Sequence, residues 1–163
     1  MTIEIHSVTA DDWKSWRSVR LAALAADPDV FGSTFADWQD APEHRWRTRL
    51  SIPGALDVIA FSDAVPVGLA SGVPNADDPD SAELISMWVD AAARGQGVAR
   101  SLITAIAEWA VASGALRLEL SVMPDNDAAR RAYERMGFTA SETRGHPLPD
   151  SRHEVVMRRD LAP

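Results

Sequence analysis

The sequence predicts an α/β domain of the α+β type, built on a mostly antiparallel sheet. Three observations carry this. Short stretches of period-two apolar alternation recur along the chain, amphipathic segments at helical spacing separate some of them, and "ALDVIAF" and "VPVGLASGV" are joined by a turn too short for a crossover helix. With 163 residues, 46% of them apolar, residues 1–163 have the length of one domain and enough apolar mass for a core. No internal repeat, low-complexity tract or linker divides them.

Taken in order, "IEIHSV" alternates as a short strand, and "TADDW" supplies a capping Thr or Asp for a helix. That helix runs through "DDWKSWRSVRLAALAAD", where Trp13, Trp16, Val19 or Arg20, and Leu24 recur at helical spacing. "DPDVFGSTF" breaks it, and "APEHRWRTRL" reads as a second, short helix. The two strands "ALDVIAF" and "VPVGLASGV" form a hairpin around "SDA", and "NADDPDS" is an acidic turn suited to a mobile loop. "AELISMWV" is another strand. A long helix follows from about Gly97 to Ser113, with Val98, Leu102, Ile106 and Ala110 four apart, Trp109 beside them and Gly114 as the C-cap. "LRLELSV" alternates again. "MPDNDAARRAYERMGF" is a helix with Ala128, Ala129, Ala132, Tyr133 and Met136 on one face, and "HEVVMRRDL" is a final strand.

Composition narrows the function classes. A formal net charge of −8 argues against a nucleic-acid partner. The absence of cysteine excludes disulfides, thiolate metal sites and a Cys nucleophile. No run is long and apolar enough to span a bilayer, and "MTIEIHSVTADDW" lacks a secretory apolar core, so a cytoplasmic protein without a membrane partner is expected. His6, His44, His146 and His153 are scattered, and none is assigned as a catalyst or metal ligand; no metal is expected. The charge is uneven. Residues 1–93 hold 15 Asp/Glu against 6 Lys/Arg, a balance of −9, and residues 94–163 hold 9 against 10, a balance of +1. Either the acidic half simply keeps the surface solvated, or the first half meets a cation while the second meets an anion.

The stretch most informative about chemistry is "RGQGVA", which lies between a strand and an amphipathic helix. A helix start leaves its first N–H groups unpaired and carries partial positive charge. Gly95 and Gly97 let the backbone fold tightly there and admit an anion, phosphate above all, close to those groups. A Walker loop would need a Lys that is missing, and "GQGVAR" lacks the third glycine of a dinucleotide fingerprint and comes after several strands. A tight turn that holds no ligand is the competing reading.

Beyond the next strand comes "NDAARRAYERMGF". Asn126, Tyr133 and Gly137-Phe138, at this spacing after "RGQGVARSLI", resemble the GNAT superfamily of N-acetyltransferases. The resemblance is close over residues 82–139 and extends more loosely to the whole chain through element order and "RLAALAADPDVFGSTF". It implies a mixed, mostly antiparallel central sheet of six to seven strands, flanked by about four helices, with a splayed strand pair that holds the cofactor. It also implies acetyl-CoA as co-substrate, a homodimer, and a small-molecule amine as acceptor. The acidic first half favours a cationic one, a polyamine or an aminosugar antibiotic, with a peptide or N-terminal amine as the alternative.

Residue by residue, the resemblance implies that Arg94, Gly95, Gln96, Gly97, Val98 and Ala99, with Arg100 and Ser101 next, grip the pyrophosphate through backbone N–H groups. Met87, Trp88 and Val89 match a bulged strand whose backbone pairs with the pantetheine arm like an added strand. A backbone N–H there points at the thioester carbonyl, a donor typically worth ~2.7–4 kcal/mol in the transition state. Asn126 matches a position near the pantetheine, and Tyr133 matches the residue facing the thioester sulfur. A phenol of reference pKa about 10 protonates a sulfur of about 8.5 only with assistance, which the nearby helix start and arginines are expected to give. The other reading of Tyr133, the chain's single tyrosine, is a core aromatic or a residue that positions the cofactor.

Glu83, four residues before Met87, matches a carboxylate base of some family members, acting directly or through water; an edge carboxylate near solvent is the alternative. Alternation places residues 83, 85, 87 and 89 on one face if the bulge comes after them. Glu119 and Ser121 on the next strand are weaker candidates. The acceptor pocket is expected around "DPDVFGSTFADW", with Phe31, Ser33, Phe35 and Trp38, closed by "RGHPLPDS" with His146 or Asp150. A non-catalytic acyl-CoA sensor of the same fold is the competing class, and the presence of Tyr133 speaks against it.

Overall fold

The computed structural model describes residues 2–28 and 33–161. Seven strands form one sheet: β1 (Ile3–Val8), β2 (Leu56–Ser62), β3 (Val65–Pro74), β4 (Ser81–Val89), β5 (Arg117–Val122), β6 (Thr139–Pro147) and β7 (His153–Asp160). The spatial order is β1-β2-β3-β4-β5-β7-β6. Every neighbouring pair is antiparallel except β4 and β5, which are parallel.

Among the described residues five α-helices accompany the sheet: α1 (Trp13–Ala26), α2 (Phe35–Gln39), α3 (Glu43–Arg49), α4 (Val98–Ala112) and α5 (Asp127–Arg135). The first five strands, β7, α1, α3, α4 and α5 fall where periodicity placed them. Two elements did not announce themselves. α2 is a single turn fixed by its cap, in which Thr34 Oγ1 accepts from the Asp37 N–H while the Asp37 carboxylate accepts from the Thr34 N–H. β6 carries no alternating apolar residues and exists through its ladder with β7.

Two cores sit on opposite faces of the sheet. On one, Leu102, Ile103, Ile106 and Ala110 of α4 pack with Val58, Ala70, Leu84 and Leu118. These are the residues the four-apart spacing predicts, because a helix lying on a sheet buries one stripe. Approach is close: a Cβ on Gly72 of β3 would lie 2.5 Å from the Trp109 ring. On the other face Trp16, Val19 and Ala23 of α1 and Trp46 of α3 pack with Ile59, Leu69 and Trp88. Val19 and Arg20 are both buried.

Candidate functional site

β4 and β5 pair only from Ser81–Glu83 against Arg117–Glu119, after which they part. β5 continues along β7 and β4 along β3, so the facing edges of Leu84–Val89 and Leu120–Val122 have no strand between them. This wedge, the splay the resemblance implies, opens a cavity of about 980 Å³. Met87, Trp88 and Val89 line one wall, Leu120, Ser121 and Val122 the other.

The strand is bulged, but earlier than the alternation over 83–89 assumes. Ser71 pairs with Ile85 and Leu69 with Trp88, so Ser86 and Met87 stand opposite the single residue Ala70. Ser86 sits at φ +57°, in the left-handed region. The extra residue inverts the alternation beyond it. Leu84, Met87 and Val89 pack toward α4, while Trp88 packs toward α1. Glu83 therefore does not share a face with Met87 and Val89; a bulge inserted between them moves the latter pair to the other side.

At one end of the cavity lies the mouth of α4. Gly97 caps the helix at φ +86° with no side-chain hydrogen bond to its first N–H groups, and Gly95 stands at φ +80°. Nothing lies within 4 Å of where a Cβ would be at either position, so conformation alone requires glycine there. Gly95, Gly97, Val98, Ala99 and Arg100 line the cavity, giving it exposed backbone donors and the positive end of a 15-residue helix. Arg94 also lines it, but its side chain is engaged elsewhere. Its Nε donates to the Val89 carbonyl at 3.2 Å and its Nη2 to Asp27 Oδ2 at 3.0 Å. The same Asp27 oxygen accepts from Trp88 Nε1 at 2.7 Å, so one carboxylate ties the end of α1 to β4 and to the α4 loop.

The floor is α5. Its apolar stripe of Ala128, Ala129, Ala132, Tyr133 and Met136 lines the cavity, and no residue of this helix is fully buried. Asn126, which also lines the cavity, caps it by accepting from the Ala129 N–H at 3.2 Å. The Tyr133 ring meets Phe138 edge-on, with centroids 5.9 Å apart, and its hydroxyl has no hydrogen-bond partner among the described residues. Burial pushes its pKa up to about 12. The expected assistance from arginines is absent, because those of α5 do not reach the phenol and apolar surroundings disfavour phenolate.

At the other end stand carboxylates. Glu83 and Glu119 are register partners across the short parallel ladder, and Glu154 lines the same cavity. Burial, then Glu119, then Asp77 hold the Glu83 carboxyl above its ordinary range. Glu119 accepts from Ser81 Oγ at 2.9 Å and faces Arg158 Nε at 3.4 Å. Glu83 has no such partner among the described residues. Arg20 of α1 lines the cavity too; burial, then the nearby Arg49, lower its pKa to about 10.

Ser33 and Ser121 reach the cavity. Phe31 lies outside the described residues. Phe35, Gln96 and Ser101 do not line it; Phe35 opens α2, Gln96 is exposed, and Ser101 faces a shallower groove beside β1 and β2. Trp38 packs on Trp46 at 4.7 Å under Arg45, and Asp150 is bound by Arg152 at 2.6 Å. Neither they nor His146 line the wedge. Sequence reasoning missed Asp27, Arg20 and Glu154 as wall residues. Asp27 alone left a signal, as a charge at the end of an amphipathic helix.

A family model described as the acetyltransferase (GNAT) family matches residues 13–138. The chain is 31% identical over 144 residues to a mycothiol acetyltransferase of Rhodococcus erythropolis, covering 85% of this chain and 46% of that protein. It thus spans about half the length of that relative. It is 30% identical over 118 residues to an L-2,4-diaminobutyric acid acetyltransferase of Streptomyces coelicolor, covering 65% of this chain and 67% of that one. In structure it is similar to a GNAT-family acetyltransferase from Streptococcus pneumoniae, with a TM-score of 0.77 at 18% identity over 99% of this chain and 100% of the other.

Proposed function

The chain belongs to the acetyltransferase (GNAT) family, and from that premise we propose that it transfers the acetyl group of acetyl-CoA directly to a primary amine of a small cationic acceptor, both bound at once. The observation that carries this is one continuous wedge, with helix-mouth donors at one end, at the other a carboxylate that has no partner among the described residues, and a protonated phenol between.

The residues present fit acetyl-CoA. The α4 mouth offers backbone N–H groups and a positive helix end to a pyrophosphate, and the unpaired edge of β4 accepts an extended arm as a strand accepts a partner. Acetyl-CoA, when bound, supplies an activated acyl carbon and a thiol leaving group. In the balanced step an N–C bond forms and the C–S bond breaks; the amine loses a proton and the sulfur gains one.

Glu83 takes the amine's proton, directly or through water. Its raised pKa makes it a stronger base than an ordinary carboxylate, and no cation among the described residues competes for it. Tyr133 holds its proton at every working pH and serves as a hydrogen-bond donor toward the leaving sulfur. Full proton transfer from a phenol near 12 to a thiolate near 8.5 is uphill by ~5 kcal/mol, so the donor role outweighs that of a free acid. Backbone groups of Met87–Val89 orient the thioester, and holding the reactants together supplies up to ~7–11 kcal/mol. Glu83, Glu119, Glu154 and the −9 balance of residues 1–93 support a cationic acceptor.

The test is thiol release from acetyl-CoA with polyamines, aminosugars, diamino acids and basic peptides, for wild type beside Tyr133→Phe. Turnover on a cationic class, lowered in the variant and weakened by salt, is the expected result. Tight coenzyme A binding without turnover on any amine favours the acyl-CoA sensor instead. Equal rates on cationic and neutral amines remove the charge argument.

A further inference from the structure

Resting on the reading above, we propose that Arg49 of α3 is a positioning residue that fixes where the β4 bulge falls, and through it the geometry of the Met87–Val89 edge. It does not itself line the wedge, although Ser86, to which it donates, does. It works from the face of the sheet that packs on α1.

The guanidinium forks into three side chains. Nη1 donates to Asp57 Oδ1 at 3.1 Å, and Nη2 donates to Ser71 Oγ at 3.0 Å and to Ser86 Oγ at 3.1 Å. Ser71 Oγ in turn donates to the same Asp57 oxygen at 2.5 Å. The cluster is secluded: Asp57 is 4% exposed and Ser71 0%, and the Trp16 ring lies 5.3 Å from the guanidinium carbon. Its three acceptors come from β2, β3 and β4, so one planar fork spans three consecutive strands. A buried ionic cluster is a poor source of net stability, since desolvation offsets most of the attraction. Its value lies in specifying one arrangement among several.

There is an arrangement to specify. Leu84 and Trp88 are buried on opposite faces and hold the register on either side. Between them Ile85, Ser86 and Met87 are all half-buried, so burial alone does not say which carries the extra residue. Ser86 carries it at φ +57°, a conformation that disfavours every residue but glycine by roughly tenfold or more in population. Among the described residues, the hydrogen bond from Arg49 is the one side-chain hydrogen bond on Ser86, and it selects that position. If the extra residue moves to a neighbour, the ends of β4 stay in place while the backbone donors facing β5 are re-aimed.

The experiment measures binding by calorimetry of coenzyme A, which needs the β4 edge, and of 3′,5′-ADP, which lacks the pantetheine arm. Arg49→Lys keeps a cation beside Asp57 but cannot reach all three acceptors. Ser86→Ala removes the acceptor and leaves the Arg49–Asp57 pair intact. Both are expected to weaken coenzyme A about tenfold and to leave 3′,5′-ADP within about twofold. Ser86→Gly, which adopts the bulge conformation without help, should restore coenzyme A affinity in the Arg49→Lys background. Unchanged coenzyme A affinity in Ser86→Ala, or equal losses for both ligands, overturns the assignment. So does failure of Ser86→Gly to rescue. Wild type that binds neither ligand sinks the acetyl-CoA reading, and this inference with it, a result separable from the others because it precedes any substitution.

Discussion

Replacing Asp27 tests how the cofactor wall is held together. Asp27→Ala removes two bonds from one oxygen, of very different worth. Trp88 is 7% exposed, and its indole N–H, now 2.7 Å from the carboxylate, would be left buried without an acceptor. That costs ~1–3 kcal/mol. The Arg94 contact at 3.0 Å contributes little by comparison, because the arginine side chain is 54% exposed and water screens the pair; ~0–1 kcal/mol is its range. Asp27→Asn keeps an oxygen for the indole and loses only the smaller part. At roughly 2–4 °C per kcal/mol for a domain of this size, Asp27→Ala should lower Tm by ~2–16 °C and Asp27→Asn by no more than ~4 °C. Thermal unfolding by calorimetry, with the KM for acetyl-CoA measured in parallel, reads both. The KM should rise in the alanine variant, because Trp88 and Arg94 flank Val89 on the wall facing the wedge. Equal losses in the two variants would show that charge and not the indole bond holds the wall, and the reasoning fails.

Glu83→Gln carries a pH signature of defined sign. The folded pKa of Glu83 is raised, so its contribution to stability is present below the unfolded value of about 4.3 and is lost as pH rises through the folded value. The glutamine variant should thus unfold at a higher temperature than wild type at pH 7 and at the same temperature below about pH 4, while acetyl transfer falls and loses its acidic limb. For Tyr133→Phe, a fall of ~10–100-fold in kcat is expected, and the wild-type profile should show no alkaline limb from this phenol before about pH 11, since its pKa stands near 12; inflection near 9 that vanishes in the variant would contradict this. Gly72→Ala places a Cβ 2.5 Å from the Trp109 ring, and the resulting overpacking should cost ~1–3 kcal/mol in urea unfolding with little change in KM.

How much of this was legible in advance follows from the range over which each signal acts. The helix mouth was readable because two glycines between an apolar strand and a four-apart helix report on the few residues beside them, and Gly95 and Gly97 do adopt positive φ. The stripe on α5 was also readable as a stripe. Its fate was not: the period that makes a helix amphipathic says nothing of whether the apolar face meets a core or a cavity. β6 left no pattern at all, since a strand at the sheet edge with both faces wet needs only a partner's ladder.

The amino-acid sequence by itself determined the order of most elements, the two-glycine turn before α4 and the family, because these rest on signals within a turn or two of chain. Only the tertiary structure decided the position of the bulge at Ser86, and so the separation of Glu83 from Met87 and Val89 onto opposite faces. It also decided that Tyr133 loses rather than gains acidity, and that the Arg94 side chain serves Asp27. The physical reason is shared. A strand's alternation assumes an unbroken ladder, and a phenol's pKa assumes known surroundings. The first is set by pairing with β3 and the second by burial within the packed fold, and neither exists until the sheet is assembled.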